Sequence, residues 1–264
     1  MSQIVFITGA SSGIGQALAR QYAAQGATLG LVARRVDVIN DFVQTLPAGI
    51  RAHCYAADVC SAESMHAAAE AFIAAAGVPD VVIANAGISE GTDLSEPGDL
   101  AAFARVMDTN WMGTLNTFQP FVQPMLARAK PGAPGGTLVG IASVAGVRGL
   151  PGAAAYSASK SAVIKLMESL RVEFGPRGLR VVTIAPGYIR TPMTAHNPYP
   201  MPFLTPVDVF AQKAVEAIHR GVRFTVLPWQ MGIVAKLLHV LPRWLYDLAF
   251  ARAPRKPRKP EISS

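Results

Sequence analysis

Short apolar runs alternate along the chain with longer stretches of mixed character. Seven runs have strand length: 4–8, 28–33, 51–56, 81–84, 137–142, 180–185 and 223–227. Most are continuously apolar, as strands buried on both faces are, and lack the in–out alternation of a sheet with one wet face. Between them, segments 14–25, 61–76, 99–129, 154–174 and 206–220 carry helical spacing. That alternation predicts an α/β fold, a doubly wound parallel seven-stranded sheet with helices on both faces. No internal repeat is visible, and the loop-like segment 130–136 (KPGAPGG) is too short to link two domains. One catalytic-size domain is therefore expected over 1–227. An apolar helical appendage over 228–251 and a basic tail over 252–264, expected to be disordered, complete the chain.

Composition narrows this picture. Of 264 residues, 51% are hydrophobic and 16% charged, which excludes a disordered chain. Two cysteines, Cys54 and Cys60, exclude a disulfide scaffold and a cysteine-rich zinc site. The formal charge is +7, but the five basic residues and one acid of 252–264 supply +4, leaving +3 on residues 1–251. The basic balance is thus concentrated at the end of the chain. The first residues lack the cationic-then-apolar pattern of a signal peptide. No uncharged run reaches the ~18–20 residues of a spanning helix, so a cytoplasmic location is expected.

The first predicted strand runs into Thr8-Gly9-Ala10-Ser11-Ser12-Gly13-Ile14-Gly15 and then a helix. Glycines there let backbone approach a pyrophosphate, which the free N–H groups of the helix N-terminus then receive. The spacing G-x-x-x-G-x-G resembles the short-chain dehydrogenase/reductase family. Further pieces in the family's order support the resemblance over residues 4 to about 227: Asp58-Val59, Asn85-Ala86-Gly87, and Pro186-Gly187 with Ile189 and Thr191. The resemblance implies a Rossmann-type fold and a nicotinamide cofactor. It assigns Asp58 and Val59 to the adenine ring, Asn85-Ala86-Gly87 to the central sheet beside the cofactor, and the 186–191 segment to the nicotinamide end. At the end of the second strand, an acid would bond the ribose hydroxyls and repel a 2′-phosphate. The chain has Arg34-Arg35 there, with Asp37 displaced beyond. Guanidinium pairs bidentately with phosphate, so NADP(H) is expected in preference to NAD(H). Ser12 stands where many NADP-using relatives place a basic residue.

Tyr156 and Lys160 are four residues apart at the start of a predicted helix, hence on one face. A tyrosine titrates near ~10 and needs a cation beside it to act as a base at neutral pH. Ser143 precedes Tyr156 by the family's interval. The resemblance implies that Tyr156 exchanges a proton with the substrate oxygen, that Lys160 lowers its pKa and bonds the nicotinamide ribose, and that Ser143 polarises the carbonyl. Asn110 matches the family's asparagine that holds a relay water. No H-x-x-x-H, H-E-x-x-H or G-x-S-x-G pattern supports a metal site or a serine hydrolase.

The segment 188–204 occupies the family's substrate-loop position and is apolar. Tyr188 and Met193 there, with Val147 and Leu150 before Tyr156, are candidate substrate contacts beside Ser143 and Tyr156. A hydrophobic ketone or aldehyde, interconverted with its alcohol, fits such a wall. His196 within that loop is expected to be a surface histidine rather than a substrate contact. In the appendage, Trp229, Trp244, Tyr246 and Phe250 with Lys236 and Arg243 suit an interfacial helix, so peripheral membrane contact through 228–264 stands open beside a lid and a subunit contact. The resemblance implies a homodimer or homotetramer through the helices of 99–129 and 154–174. No recognition motif accompanies the charge, so nucleic acid is not expected. A cofactor-binding sensor or membrane-associated interaction protein that keeps the fold is the alternative; it has no need of a Ser–Tyr–Lys set.

Overall fold

The computed structural model describes residues 2–195 and 197–258. Among these described residues, nine strands and nine α-helices follow in the order β1 (Ile4–Thr8), α1 (Gly13–Ala24), β2 (Thr28–Ala33), α2 (Val36–Gln44), β3 (Ala52–Ala56), α3 (Ala62–Ala76), β4 (Val81–Ala84), α4 (Asp99–Met107), α5 (Gly113–Arg128), β5 (Gly136–Ile141), α6 (Ala154–Phe174), β6 (Leu179–Pro186), β7 (Ile189–Arg190), β8 (Thr205–Pro206), α7 (Val207–His219), β9 (Phe224–Leu227), α8 (Trp229–Val240) and α9 (Arg243–Phe250). The main sheet is wholly parallel in the order β3-β2-β1-β4-β5-β6-β9, and β7 and β8 form a separate two-residue pair.

The continuous apolar runs bury both faces. Val5 and Ile7 of β1, Leu29 and Leu31 of β2, Val139 and Ile141 of β5 belong to one core with α1 and α7. Their neighbours Phe6, Val32 and Leu138 join the opposite core with α3, α5 and α6. There Phe6 lies 5.3 Å from Phe72 and 4.7 Å from Phe121, ring centre to ring centre. Gly30 makes room for this cluster, since a Cβ would stand 2.7 Å from the Phe6 ring.

Strand order reverses between β1 and β4, and loops leaving those strands in opposite directions open a crevice at their C-terminal ends. Asn85 ties the crevice floor. Its Nδ2 donates to Thr8 O at 2.9 Å, and its N–H donates to Thr8 Oγ1 at 3.2 Å.

Several elements differ from expectation. The segment 99–129 is not one regular helix: a π-helical turn at Asp108–Met112 separates α4 from α5. α5 itself contains Pro120 and Pro124, each lacking a helical N–H. α2 was absent from the sequence reading because nine residues carry little more than two turns of signal. Residues 252–258 do not trail into solvent. Arg258 Nε and Nη2 grip Asp99 at 2.8 and 3.0 Å, Arg255 pairs with Asp93 at 3.2 Å, and Lys256 Nζ donates to Ser89 Oγ at 2.7 Å. Carboxylates at 93–99 thus answer Arg255 and Arg258 within the chain. Residues 259–264 and His196 lie outside the described residues.

Candidate active site

A single cleft gathers most of the residues that the motifs single out. It is lined by Gly9, Ser11, Ser12, Gly13 and Ile14, then Arg34 and Arg35, Asp58 and Val59, and Asn85 to Gly87. Ser143, Tyr156, Lys160, Pro186, Gly187, Ile189, Thr191 and Met193 also line it. Gly15 supports the floor from beneath: a Cβ there would collide with the Gly9 carbonyl oxygen. Gly9 itself has φ +69°, and a side chain on it would meet Ala86 Cα at 2.8 Å. The loop is therefore pressed onto the residues that follow β4 and turned away from ordinary side-chain conformations.

Whether this cleft fits a dinucleotide can be judged from its own groups. Ser12 precedes α1 with extended backbone and makes no side-chain cap, and the first turn of α1 contains no acid. The helix's positive end is left for an external anion. Arg34 and Arg35 are exposed at the rim, and neither forms a hydrogen bond or ion pair among the described residues. Two free guanidiniums, an uncapped helix and a glycine floor fit a phosphate-rich ligand.

The chemical end is drier. Ser143 caps a 3₁₀ turn at Val144–Gly146, its Oγ accepting from Ala145 N at 3.1 Å. Burial pushes the Tyr156 phenol up from its ordinary value, and a hydrogen bond from Ser143 pulls it back. Lys160 is 5% exposed, and desolvation lowers its ammonium to a pKa of about 8. Its Nζ lies 5.9 Å from the Tyr156 ring centre and donates to Ile141 O at 2.8 Å. With a pKa of about 8 the ammonium stays mostly charged at neutral pH, so a cation is available to the phenol.

Asn110 sits in the π-helical turn, fully buried and off the cleft surface. Its Oδ1 accepts from Ile88 N at 2.8 Å, and its Nδ2 donates to Ile88 O and Ser159 Oγ, both at 2.9 Å. It fastens the post-β4 loop to α6 one residue from Lys160.

Of the expected substrate contacts, Met193 lines the cleft. Val147, Leu150 and Tyr188 are partly buried beside it without lining it. Leu150 is held by its N–H to Ser157 Oγ at 3.2 Å. Ile88 and Thr109 line the cleft, and Tyr199 pairs with Tyr188 at 6.5 Å and feels the Tyr156 phenol, which helps raise its own pKa. Tyr199 lies in the expected substrate loop, whereas Ile88 and Thr109 belonged to no motif and only the fold reveals them. Arg148 was also missed. Its Nη1 donates to Leu238 O at 3.1 Å and Leu241 O at 3.2 Å, and its guanidinium lies 4.4 Å from the Tyr246 ring centre. Tyr246 in turn donates a short hydrogen bond to Gly149 O. On the other side α8 meets the Pro186–Gly187 turn, where a Cβ on Gly187 would stand 2.6 Å from Met231. The appendage is therefore bolted to both loops that flank Tyr156.

Comparisons with known proteins agree with this geometry. The family described as short chain dehydrogenase matches residues 3–200. An uncharacterized oxidoreductase of Myxococcus xanthus is 36% identical over 249 residues, covering 93% of this chain and 95% of its own. An uncharacterized oxidoreductase of Mycobacterium tuberculosis is 36% identical over 245 residues, covering 91% and 94%. Among solved structures, a 3-ketoacyl-(acyl-carrier-protein) reductase from Brucella melitensis complexed with NADH superposes with a TM-score of 0.76 at 25% identity, covering 85% of this chain and 96% of that one. An alcohol dehydrogenase from Thermococcus sibiricus complexed with 5-hydroxy-NADP gives a TM-score of 0.74 at 27% identity, covering 85% and 95%. A match over three-quarters of the sequence, on a fold that brings Ser143, Tyr156 and Lys160 to one cleft, leads to one assignment: the chain is an oxidoreductase of the short-chain dehydrogenase/reductase family.

Proposed function

We propose that the protein interconverts a hydrophobic ketone or aldehyde and its alcohol, with NADP(H) as cofactor and Tyr156 as general acid–base. The observation that carries this reading is the half-buried Tyr156 held by Ser143 at the cleft wall, with the Lys160 ammonium 5.9 Å from its ring. When bound, the nicotinamide supplies or accepts a hydride at the carbonyl carbon. Tyr156 gives its phenolic proton to the carbonyl oxygen during reduction and recovers one in the opposite direction. Ser143 holds that oxygen by a hydrogen bond, and Lys160 favours the phenolate left behind. Asn110 acts through Lys160 and Ser159 as a positioning residue.

The 2′-phosphate preference rests on Arg34 and Arg35, because the cofactors of the two structural neighbours, NADH in one and an NADP derivative in the other, favour neither form. Apolar Ile88 and Met193 in the lining support a hydrophobic substrate over a sugar. The test is NADPH oxidation over a panel of apolar carbonyl compounds with wild type and Tyr156→Phe. Loss of roughly 10²–10⁴ in kcat with NADPH binding kept is expected. Turnover by the phenylalanine variant at the wild-type rate would show the mechanism to be wrong. Retained NADPH binding with no turnover of any carbonyl by the wild type would favour a cofactor sensor.

A further inference from the structure

The two C-terminal helices bury one side and leave the other bare. On α8, Met231 and Ala235 pack inward, while Trp229, Ile233, Leu237 and Val240 are 64, 51, 61 and 73% exposed. Spacings of four, four and three residues keep those four side chains in one stripe. α9 repeats the arrangement, with Tyr246 buried and Trp244 and Leu248 exposed. Two of the chain's three tryptophans therefore face solvent. Single surface hydrophobics need no explanation, but six on consecutive helices do.

Charge indicates what covers them. Lys236, Arg243 and Arg252 are exposed on the same segment, and none forms an ion pair or hydrogen bond among the described residues. Arg255 and Arg258, by contrast, are engaged by Asp93 and Asp99. A second copy of this chain seated face to face would set the same net positive surface against this one, Asp247 being the one acid on the two helices.

We infer that the α8–α9 face lies on a membrane surface bearing anionic headgroups. Trp229, Trp244 and the four aliphatic side chains enter the boundary between headgroups and acyl chains, and Lys236, Arg243 and Arg252 meet lipid phosphates. The helices lie in the plane of the surface: they have 12 and 8 residues, and no helix among the described residues is long and apolar enough to cross a membrane. Because α8 also packs on Gly187 and Arg148 ties it to the loop after Ser143, the cleft mouth is joined to this face. Resting on the proposed hydrophobic substrate, the arrangement delivers a carbonyl compound dissolved in the bilayer to Tyr156 without passage through bulk water.

The test is sedimentation of the full-length protein with vesicles of phosphatidylcholine alone and of phosphatidylcholine with phosphatidylglycerol, without substrate. Binding to the anionic vesicles, weakened by salt, is expected, with tryptophan fluorescence quenched by brominated acyl chains. Lys236→Ala and Arg243→Ala should each weaken binding roughly fivefold. Trp229→Glu combined with Trp244→Glu should weaken it roughly tenfold or more while NADPH binding and Tm are kept. Absence of vesicle binding, or binding unchanged by the double variant, overturns the inference. So does a wild type that ignores vesicles while the double variant turns an oligomer into a smaller species by light scattering, which would make the face a protein contact. Since no turnover is measured, either result leaves the Tyr156 mechanism to be judged by its own experiment.

Discussion

Replacing Lys160 with methionine should stabilise the cofactor-free protein while abolishing catalysis. The ammonium is 5% exposed, and burial alone lowers its pKa from 10.5 to about 8. Below about pH 8 the folded and unfolded chains are both protonated, and the folded state carries the full desolvation cost. From about pH 8 to 10.5 the folded chain gives up the proton first, so stability rises with pH as the cost fades. The lowered pKa corresponds to about 3 kcal/mol at neutral pH. Methionine, similar in length, removes that cost but leaves the Ile141 carbonyl, now 2.8 Å from Lys160 Nζ, without its donor. That loss offsets about 1–2 kcal/mol. The net gain of about 1–2 kcal/mol should raise Tm by roughly 2–6 °C at pH 7. Thermal unfolding of both proteins by circular dichroism at pH 7 and pH 10 measures it, with methionine's advantage lost at the higher pH. A less stable methionine variant at pH 7, or an advantage kept at pH 10, would refute the reasoning.

Arg34→Ala with Arg35→Ala should weaken NADPH binding about tenfold and NADH binding little, since two rim charges meet only the 2′-phosphate; fluorescence titration of both cofactors reads the ratio. Arg148→Ala removes the donor to Leu238 O and Leu241 O and the cation over Tyr246. Hydrogen exchange should then accelerate across 238–250 while the main sheet keeps its protection. The tail's grip should depend on pH. The Arg258 hydrogen bonds, with a further one from Asp93 N–H, hold the Asp99 carboxyl below its ordinary range. The contribution is present above the ordinary carboxylate pKa of ~3.9 and is lost as pH falls through the lower folded value. Exchange at residues 252–258 should accelerate in that acid window in wild type and at neutral pH in Asp99→Asn.

The sheet was legible because its strands are buried on both faces: a run such as Val5-Phe6-Ile7 feeds two cores at once, leaving few alternatives to a central parallel strand. The glycine loop was legible because steric demands at Gly9 and Gly15 leave no other residue type. Tyr156 and Lys160 were legible because a four-residue spacing on a helix is local geometry. What stayed hidden depends on distant partners. Arg148 reaches carbonyls some ninety positions away, and Arg258 reaches an aspartate 159 positions away; in sequence both are ordinary surface cations. Asn110 was found by motif, yet the π-helical turn that buries it leaves no periodic trace. The tail's net charge hid a related contact, since Arg255 and Arg258 are answered by the acids of 93–99 within the chain.

The central claim is hydride transfer to a carbonyl with Tyr156 as proton donor. It is tested most directly by supplying NADPH deuterated at the transferable position, with an apolar ketone that the wild type turns over, and measuring the product alcohol by mass spectrometry. One deuterium on the carbinol carbon is expected from wild type, and labelled alcohol roughly 10²–10⁴ times more slowly from Tyr156→Phe, although the variant still binds the cofactor. Unlabelled alcohol from wild type, or fully labelled alcohol at the wild-type rate from the phenylalanine variant, would contradict the account.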